Sequence, residues 1–114
     1  MGMYAEVIAI GPFSWDLLDS LEYSKAHYEG TVEGAIVNQT LFGIGQGTTT
    51  GREFAACLGI TNGWDFNQHK INPTKINHEA LIDFIKRYDE YESDYEAFIA
   101  FLEKGFEFHF SPNG

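Results

Sequence analysis

The glycine-rich stretch that ends at Arg52 contains several residues that can bind an anion. Alternating glycines are followed by three threonines and then by Arg52. Glycine lets a backbone approach a ligand closely, and the N–H groups at the start of a following helix attract negative charge. The stretch therefore predicts a phosphate or carboxylate site, formed by Gly45, Gly47, Thr48, Thr49 and Arg52. The alternative is a plain connector between a strand and a helix, since the Lys-Ser/Thr pair of a P-loop is missing.

A second candidate for chemistry is the polar run at positions 65–69. A carboxylate and an imidazole this close in sequence can act as a general acid–base pair. No nucleophile pattern accompanies them, and polar side chains in such a run commonly bond their own backbone. The catalytic hypothesis names Asp65 and His69, and the simpler interpretation is an ordinary loop.

Metal and thiol chemistry have little support in the sequence. No two of the 4 histidines are spaced i, i+4, and Cys57 is the only cysteine. We therefore expect no metal and no cofactor, and we expect Cys57 to be a buried structural thiol. A single cysteine and the absence of a signal peptide predict a cytoplasmic protein. Met1 and Gly2, which precede a second methionine, are interpreted as residues added in cloning.

Acidic and tyrosine residues alternate around position 90. Tyrosine is enriched in protein interfaces, and carboxylates there would select a cationic partner. The sequence therefore predicts a partner-binding surface formed by Tyr88, Asp89, Glu90, Tyr91, Glu92 and Asp94. The alternative is a solvated acidic face without a binding role.

The chain as a whole is strongly acidic. Its 17 Asp and Glu outnumber its 7 Lys and Arg, which gives a formal net charge of −10 at pH 7. Nucleic acids and anionic membranes are bound through Lys and Arg, so this balance argues against both. No apolar run approaches the ~20 residues of a membrane helix. A basic protein is the partner class that the charge favours.

Hydrophobic periodicity predicts the element order β-α-β-α-(β)-α-α-β. Strands are expected at 3–10, 34–43 and 106–110, with a brief one within 64–71 and a frayed end at 111–114. Helices are expected at 15–21, at 51–58, after Asn77, and up to Gly105. Their predicted end signals are two capping boxes (Thr50 with Glu53, Ser93 with Glu96), the N-cap Asn77, and the C-terminal glycines Gly59 and Gly105.

These elements predict an α+β fold over residues 1–114. It would be a single two-layer domain with a mixed sheet of three or four strands, helices packed over one face, and its terminal strands paired. The function favoured is a small cytoplasmic protein-binding module that occludes a basic partner, as an immunity protein or an inhibitor does. The alternatives are a phosphate or nucleotide sensor using residues 43–52 and a small enzyme using Asp65 and His69. The oligomeric state is left open.

Overall fold

One four-stranded sheet and three helices make up the part of the chain that a computed structural model describes, residues 4–17, 28–45, 49–60 and 69–113. The strands are β1 (Tyr4–Pro12), β2 (Ile36–Gly45), β3 (His69–Lys70) and β4 (Glu107–Asn113), in the spatial order β2-β1-β4-β3. The helices are α1 (Thr49–Cys57), α2 (His78–Arg87) and α3 (Glu92–Glu103). Short 3₁₀ turns, Pro73–Lys75 and Asp89–Tyr91, precede α2 and α3. This is the predicted α+β class.

β1 lies in the interior of the sheet, as its almost continuous apolar sequence predicts. It pairs with β2 on one side and with β4 on the other, where Ile10 stands opposite Glu107. The predicted pairing of the two terminal strands is confirmed. β4 continues to Asn113, so Ser111 belongs to the sheet rather than to the frayed end predicted from the sequence.

Every pairing among the described strands is antiparallel, rather than the mixed arrangement predicted from the order of elements. The turn after α3 gives the reason. Gly105 adopts φ 80° and delivers the chain to the end of the sheet where β1 finishes, so β4 starts near Ile10 and runs back along β1. A parallel strand would need a crossover that returns to the beginning of β1.

Alternate residues divide the sheet into two faces. The inner face carries buried side chains from three strands, namely Val7, Ala9, Leu41, Phe108 and Phe110. The helices cover this face with phenylalanines that are fully buried: Phe54 of α1, Phe84 of α2, and Phe98 and Phe101 of α3. On the outer face, the described side chains of Asn38, Thr40 and Glu107 are exposed. The described helices thus pack over one face, as predicted.

Three of the predicted helix ends are confirmed. The Asn77 side chain caps α2 by accepting a hydrogen bond from the Ala80 N–H at 3.0 Å. Gly59 and Gly105 follow α1 and α3 with φ of 77° and 80°, a conformation that glycine adopts without steric cost.

Both predicted capping boxes are wrong. α1 begins at Thr49, so Thr50 already lies inside the helix, and the Glu53 carboxylate accepts a hydrogen bond from Arg87 instead. α3 begins at Glu92 directly after its 3₁₀ turn, which places Ser93 inside the first turn of the helix. In α3 the residue before the helix is Tyr91 of the 3₁₀ turn, and its side chain makes no capping hydrogen bond.

Two further predictions fall largely outside the described residues. Of the helix expected at 15–21, the structure describes only the residues up to Leu17, whose side chain is buried. Of the strand expected within 64–71, the described part is β3, which pairs with β4.

Candidate functional site

A groove of about 400 Å³ lies between the second half of α2 and the first half of α3. Its lining combines aliphatic and aromatic side chains with several carboxylates: Ile82, Ile85, Lys86, Asp89, Glu92, Tyr95 and Glu96. A concave surface with an apolar floor and polar walls is the usual form of a recognition site.

The floor of the groove arises from the way α2 packs. Leu81, Phe84 and Ile85 turn toward the core and are buried, as expected for one face of an amphipathic helix. Ile82 follows Leu81 by one position, so it points away from that face and remains 41% exposed. Ile82 is one of the few large apolar side chains among the described residues that the fold leaves in solvent.

The walls of the groove come from the short connection between the helices. The 3₁₀ turn Asp89–Tyr91 runs directly into α3, and this brings Asp89 of the turn together with Glu92 and Glu96 of the helix on the lining of the groove. Residues i and i+4 lie on the same face of a helix, which aligns Glu92 with Glu96.

The wall carboxylates have no paired cation within the part of the chain that the structure describes. Among the described residues, Asp89, Glu92 and Glu96 make no ion pair within 4.0 Å, and Lys86 is the one cation on the described lining. Arg87, the adjacent cation, is engaged elsewhere: it pairs with Glu53 and, at 3.4 Å, with Asp83. The groove therefore presents an excess of negative charge.

A second depression of about 620 Å³ continues along α2 and shares Ile82 and Lys86 with the groove. Its remaining lining is Asn77, Glu79, Ala80 and Asp83. Two carboxylates, of which Asp83 pairs with Arg87, and one further apolar side chain thus extend the lining toward the beginning of α2. We call the two depressions together the α2–α3 groove.

The structure separates the six residues of the predicted partner-binding surface into two groups. Asp89 and Glu92 line the α2–α3 groove, and Glu90 is exposed on the same turn. Tyr88 and Tyr91 are half-buried and pack on the core, with their ring centroids 4.9 and 6.2 Å from that of Phe84. The tyrosine that lines the groove is Tyr95.

Asp94, the sixth residue of that set, faces the sheet. Its carboxylate accepts a hydrogen bond from the backbone N–H of Phe42, and burial raises the pKa of the carboxyl group above its ordinary value. Burial also raises the pKa of Tyr91, and the nearby negative charges of Glu90 and Asp94 raise it further. Asp94 thus contributes to the contact between α3 and β2.

Phe42, which donates this hydrogen bond, lies at an irregular point of β2. Phe42 and Gly43 together stand opposite Glu6, because Val7 pairs with Leu41 and Ala5 with Ile44, so β2 contains a bulge. Phe42 adopts φ 57° there, a conformation that is unfavourable for residues other than glycine. Its buried ring, 4.7 Å from that of Phe54, and the Asp94 hydrogen bond hold it in place.

The predicted anion site is described only in part. Gly45 is the last residue of β2, Thr49 is the first residue of α1, and Arg52 is exposed on that helix. Gly47 and Thr48 lie outside the described residues. The anion site stays a prediction.

The predicted catalytic pair is also mostly outside the described residues. Asp65 is not described, and His69 is described only through its backbone, which pairs with that of Phe110 in β4. The described residues contain no group of three or more His, Cys, Asp or Glu placed to hold a metal ion. Cys57 is buried in α1, and burial is the main reason that the pKa of its thiol is raised.

Comparison with known proteins gives no match to a protein-family model, a curated protein or a solved structure. Within the described ranges, no helix is long and apolar enough to cross a membrane.

Sequence reasoning missed the apolar floor of the groove. Ile82, Ile85 and Tyr95 belong to two helices, and only the packing of α2 beside α3 brings them together. One signal was present: Ile82 falls outside the inner face that Leu81 and Ile85 define, so an amphipathic helix would expose it.

Proposed function

We propose that this protein is a small protein-binding module whose α2–α3 groove receives a basic segment of a partner protein. The partner segment would carry Lys or Arg side chains beside at least one apolar side chain. The observation that carries the proposal is the apolar floor of exposed Ile82 and half-buried Tyr95. Beside it lie three carboxylates that pair with no cation among the described residues, those of Asp89, Glu92 and Glu96.

The two parts of the groove would contribute differently to binding. Burial of an apolar side chain against Ile82 and Tyr95 supplies affinity and slows dissociation, as the central residues of interfaces do. The carboxylates at the walls attract a cationic partner from a distance and raise the association rate. A net charge of −10 extends this attraction over the whole molecule.

Such a protein would act by covering a cationic surface, in the manner of an immunity protein or an inhibitor. The single cysteine supports the cytoplasm as the site of action.

A synthetic amphipathic peptide of lysine and leucine tests the proposal by fluorescence anisotropy. The double variant Glu92→Gln, Glu96→Gln removes two charges from the groove. The control Glu29→Gln, Glu103→Gln removes the same charge from exposed positions outside the groove lining. We expect the groove variant to weaken binding by about tenfold and the control by less than about twofold, because close charges act more strongly than distant, screened ones.

A separate variant tests the floor. Ile82→Gln keeps the net charge and the size of the side chain but removes its apolar surface. We expect faster dissociation of the peptide with little change in the association rate. Equal losses in the groove and control double variants, together with an unchanged Ile82→Gln, would mean that the peptide senses net charge alone, and the proposal would be wrong.

A further inference from the structure

β2 forms one edge of the sheet, and its backbone leaves hydrogen-bonding groups on the side away from β1. The Phe13 N–H donates to the Ala35 carbonyl at 2.7 Å, and such bonded pairs alternate along an antiparallel ladder. Pro12, opposite Ile36, has no N–H to offer, in agreement with this alternation. Residues 37, 39 and 41 therefore bond β1, whereas Ile36, Asn38 and Thr40 direct N–H and C=O groups outward.

No strand among the described residues pairs with this outer edge of β2. The edge is regular from Ile36 to Leu41, up to the bulge at Phe42. Exposed edges of this kind are normally protected by proline or by charged residues such as Lys, because an unprotected edge pairs with another strand. Residues 36–41 contain none of these protections.

The distribution of charge indicates which kind of chain could pair with this edge of β2. Residues 34–51 form the longest stretch of the sequence without Asp, Glu, Lys or Arg. Two copies of a protein with net charge −10 repel each other, so contact between them is favoured where the surface has few carboxylates. A cationic partner would instead gain most at the acidic α2–α3 groove. The uncharged edge is thus best suited to a second copy of this chain.

Apolar surface at the start of β2 supports the same conclusion. Of the large apolar side chains that are exposed among the described residues, Val32 (72%), Ile36 (71%) and Trp15 (48%) all lie near this end of the strand. The chain there is tied together by hydrogen bonds from the Gly34 N–H to the Phe13 carbonyl and from the Trp15 N–H to the Glu33 carboxylate. A strand added at the edge would cover Ile36.

We propose that β2 pairs with β2 of a second copy, antiparallel, about a two-fold axis perpendicular to the sheet. Asn38 would face its own equivalent, and Ile36 would face Thr40 of the other copy. This register uses every outward N–H and C=O of the three residues and keeps the helices of both copies on the same side. The Gln39 side-chain amide, which donates to the Thr40 carbonyl at 3.1 Å, leaves that oxygen a second lone pair for the new bond.

Substitutions at Asn38 test this pairing by light scattering and sedimentation across a dilution series. Asn38→Pro removes an outward N–H without touching the ladder to β1, a place where edge strands tolerate proline. Asn38→Glu places two like charges face to face. Asn38→Ala is the control, since it keeps the backbone N–H. We expect the wild type and Asn38→Ala to reach twice the 12.9 kDa chain mass, and Asn38→Pro and Asn38→Glu to remain at 12.9 kDa with wild-type circular dichroism.

Hydrogen exchange supplies a readout that does not depend on the variants. The amides of Ile36, Asn38 and Thr40 should exchange slowly in concentrated wild-type protein and quickly on dilution, whereas those of Val37 and Gln39 should be protected in both. If Asn38→Pro fails to fold, the mass of Asn38→Glu and this exchange pattern still test whether β2 pairs with a second copy. A wild-type protein that keeps the monomer mass at every concentration would overturn the proposal, and the edge would then be available to a strand from a different protein. A folded Asn38→Glu variant that still dimerises would also overturn it.

Discussion

Phe42 shows how an unfavourable backbone conformation depends on one carboxylate from another element. Its φ of 57° lies in a region that costs non-glycine residues about 1–2 kcal/mol. Asp94 compensates by accepting the hydrogen bond of the Phe42 N–H, and the buried Phe42 ring adds contacts with Phe54 and Phe98. The contact between Phe42 and Asp94 could not be predicted from the sequence, because no local pattern around either residue indicates that the other lies beside it.

Removal of the Asp94 acceptor tests this relation. At neutral pH we expect Asp94→Ala to lower the free energy of unfolding by about 1–3 kcal/mol, since the Phe42 N–H loses its partner in a partly buried position. Asp94→Asn keeps an oxygen acceptor and should cost much less. Urea denaturation of the three proteins measures both values. Equal losses for Ala and Asn would show that the acceptor oxygen of Asp94 does not stabilise the bulge.

The raised pKa of Asp94 adds a pH dependence of known sign. Its ordinary value is 3.8, and the folded protein holds the proton to a higher pH than the unfolded chain does. The contribution of Asp94 to stability is therefore greatest below 3.8 and falls as pH rises to the folded pKa. Asp94→Asn does not titrate, so its stability relative to the wild type should increase with pH across this interval. A relative stability that decreases with pH would contradict the assignment.

At the scale of elements, the sequence predicted the features that depend on local chemistry. The alternation of Phe106, Phe108 and Phe110 identified β4, and Asn77, Gly59 and Gly105 marked helix ends. Both signals are local, because hydrophobic periodicity and capping residues are visible within a few positions of the sequence. The antiparallel order and the first residue of α1 were not predictable in this way. The antiparallel order depends on where the turn after α3 delivers the chain, which lies far from β1 in the sequence.

The α2–α3 groove was predictable only in part for the same reason. Asp89 and Glu92 were identified from the density of charge around position 90. Tyr88 and Tyr91 were expected at the same surface, but their rings pack on Phe84, since periodicity does not fix which side of a short 3₁₀ turn faces the core.

The contact between β1 and β4 offers a test of the strand pairing. A Cβ atom at Gly11 would lie 2.7 Å from the ring of Phe106, which is buried and cannot easily move. Gly11→Ala should therefore destabilise the protein by roughly 1–3 kcal/mol. Gly43→Ala is the matched control in β2, because nothing lies within 4 Å of its Cβ position. Thermal unfolding compares the two, and a Gly11→Ala variant as stable as Gly43→Ala would show that Phe106 does not lie against Gly11.

For the whole molecule, charge separates the two proposed associations. Salt screens exposed charges over about 8 Å at physiological ionic strength. Added salt should weaken binding of the lysine–leucine peptide, where opposite charges attract, and should strengthen pairing of β2 with a second copy, where two chains of net charge −10 repel. Titrations at several salt concentrations measure both. The same direction of change in the two equilibria would contradict one of the assignments.

The most direct test of the central proposal is to map where a basic segment binds. The lysine–leucine peptide is titrated into ¹⁵N-labelled protein, and the backbone amide resonances are followed by NMR. We predict that the largest shifts fall on residues of the α2–α3 groove, around Ile82, Asp89, Glu92 and Glu96, and that Ile82→Gln reduces them. Shifts concentrated at Thr49 and Arg52 at the start of α1, or spread evenly over the acidic surface, would contradict the groove as the binding site.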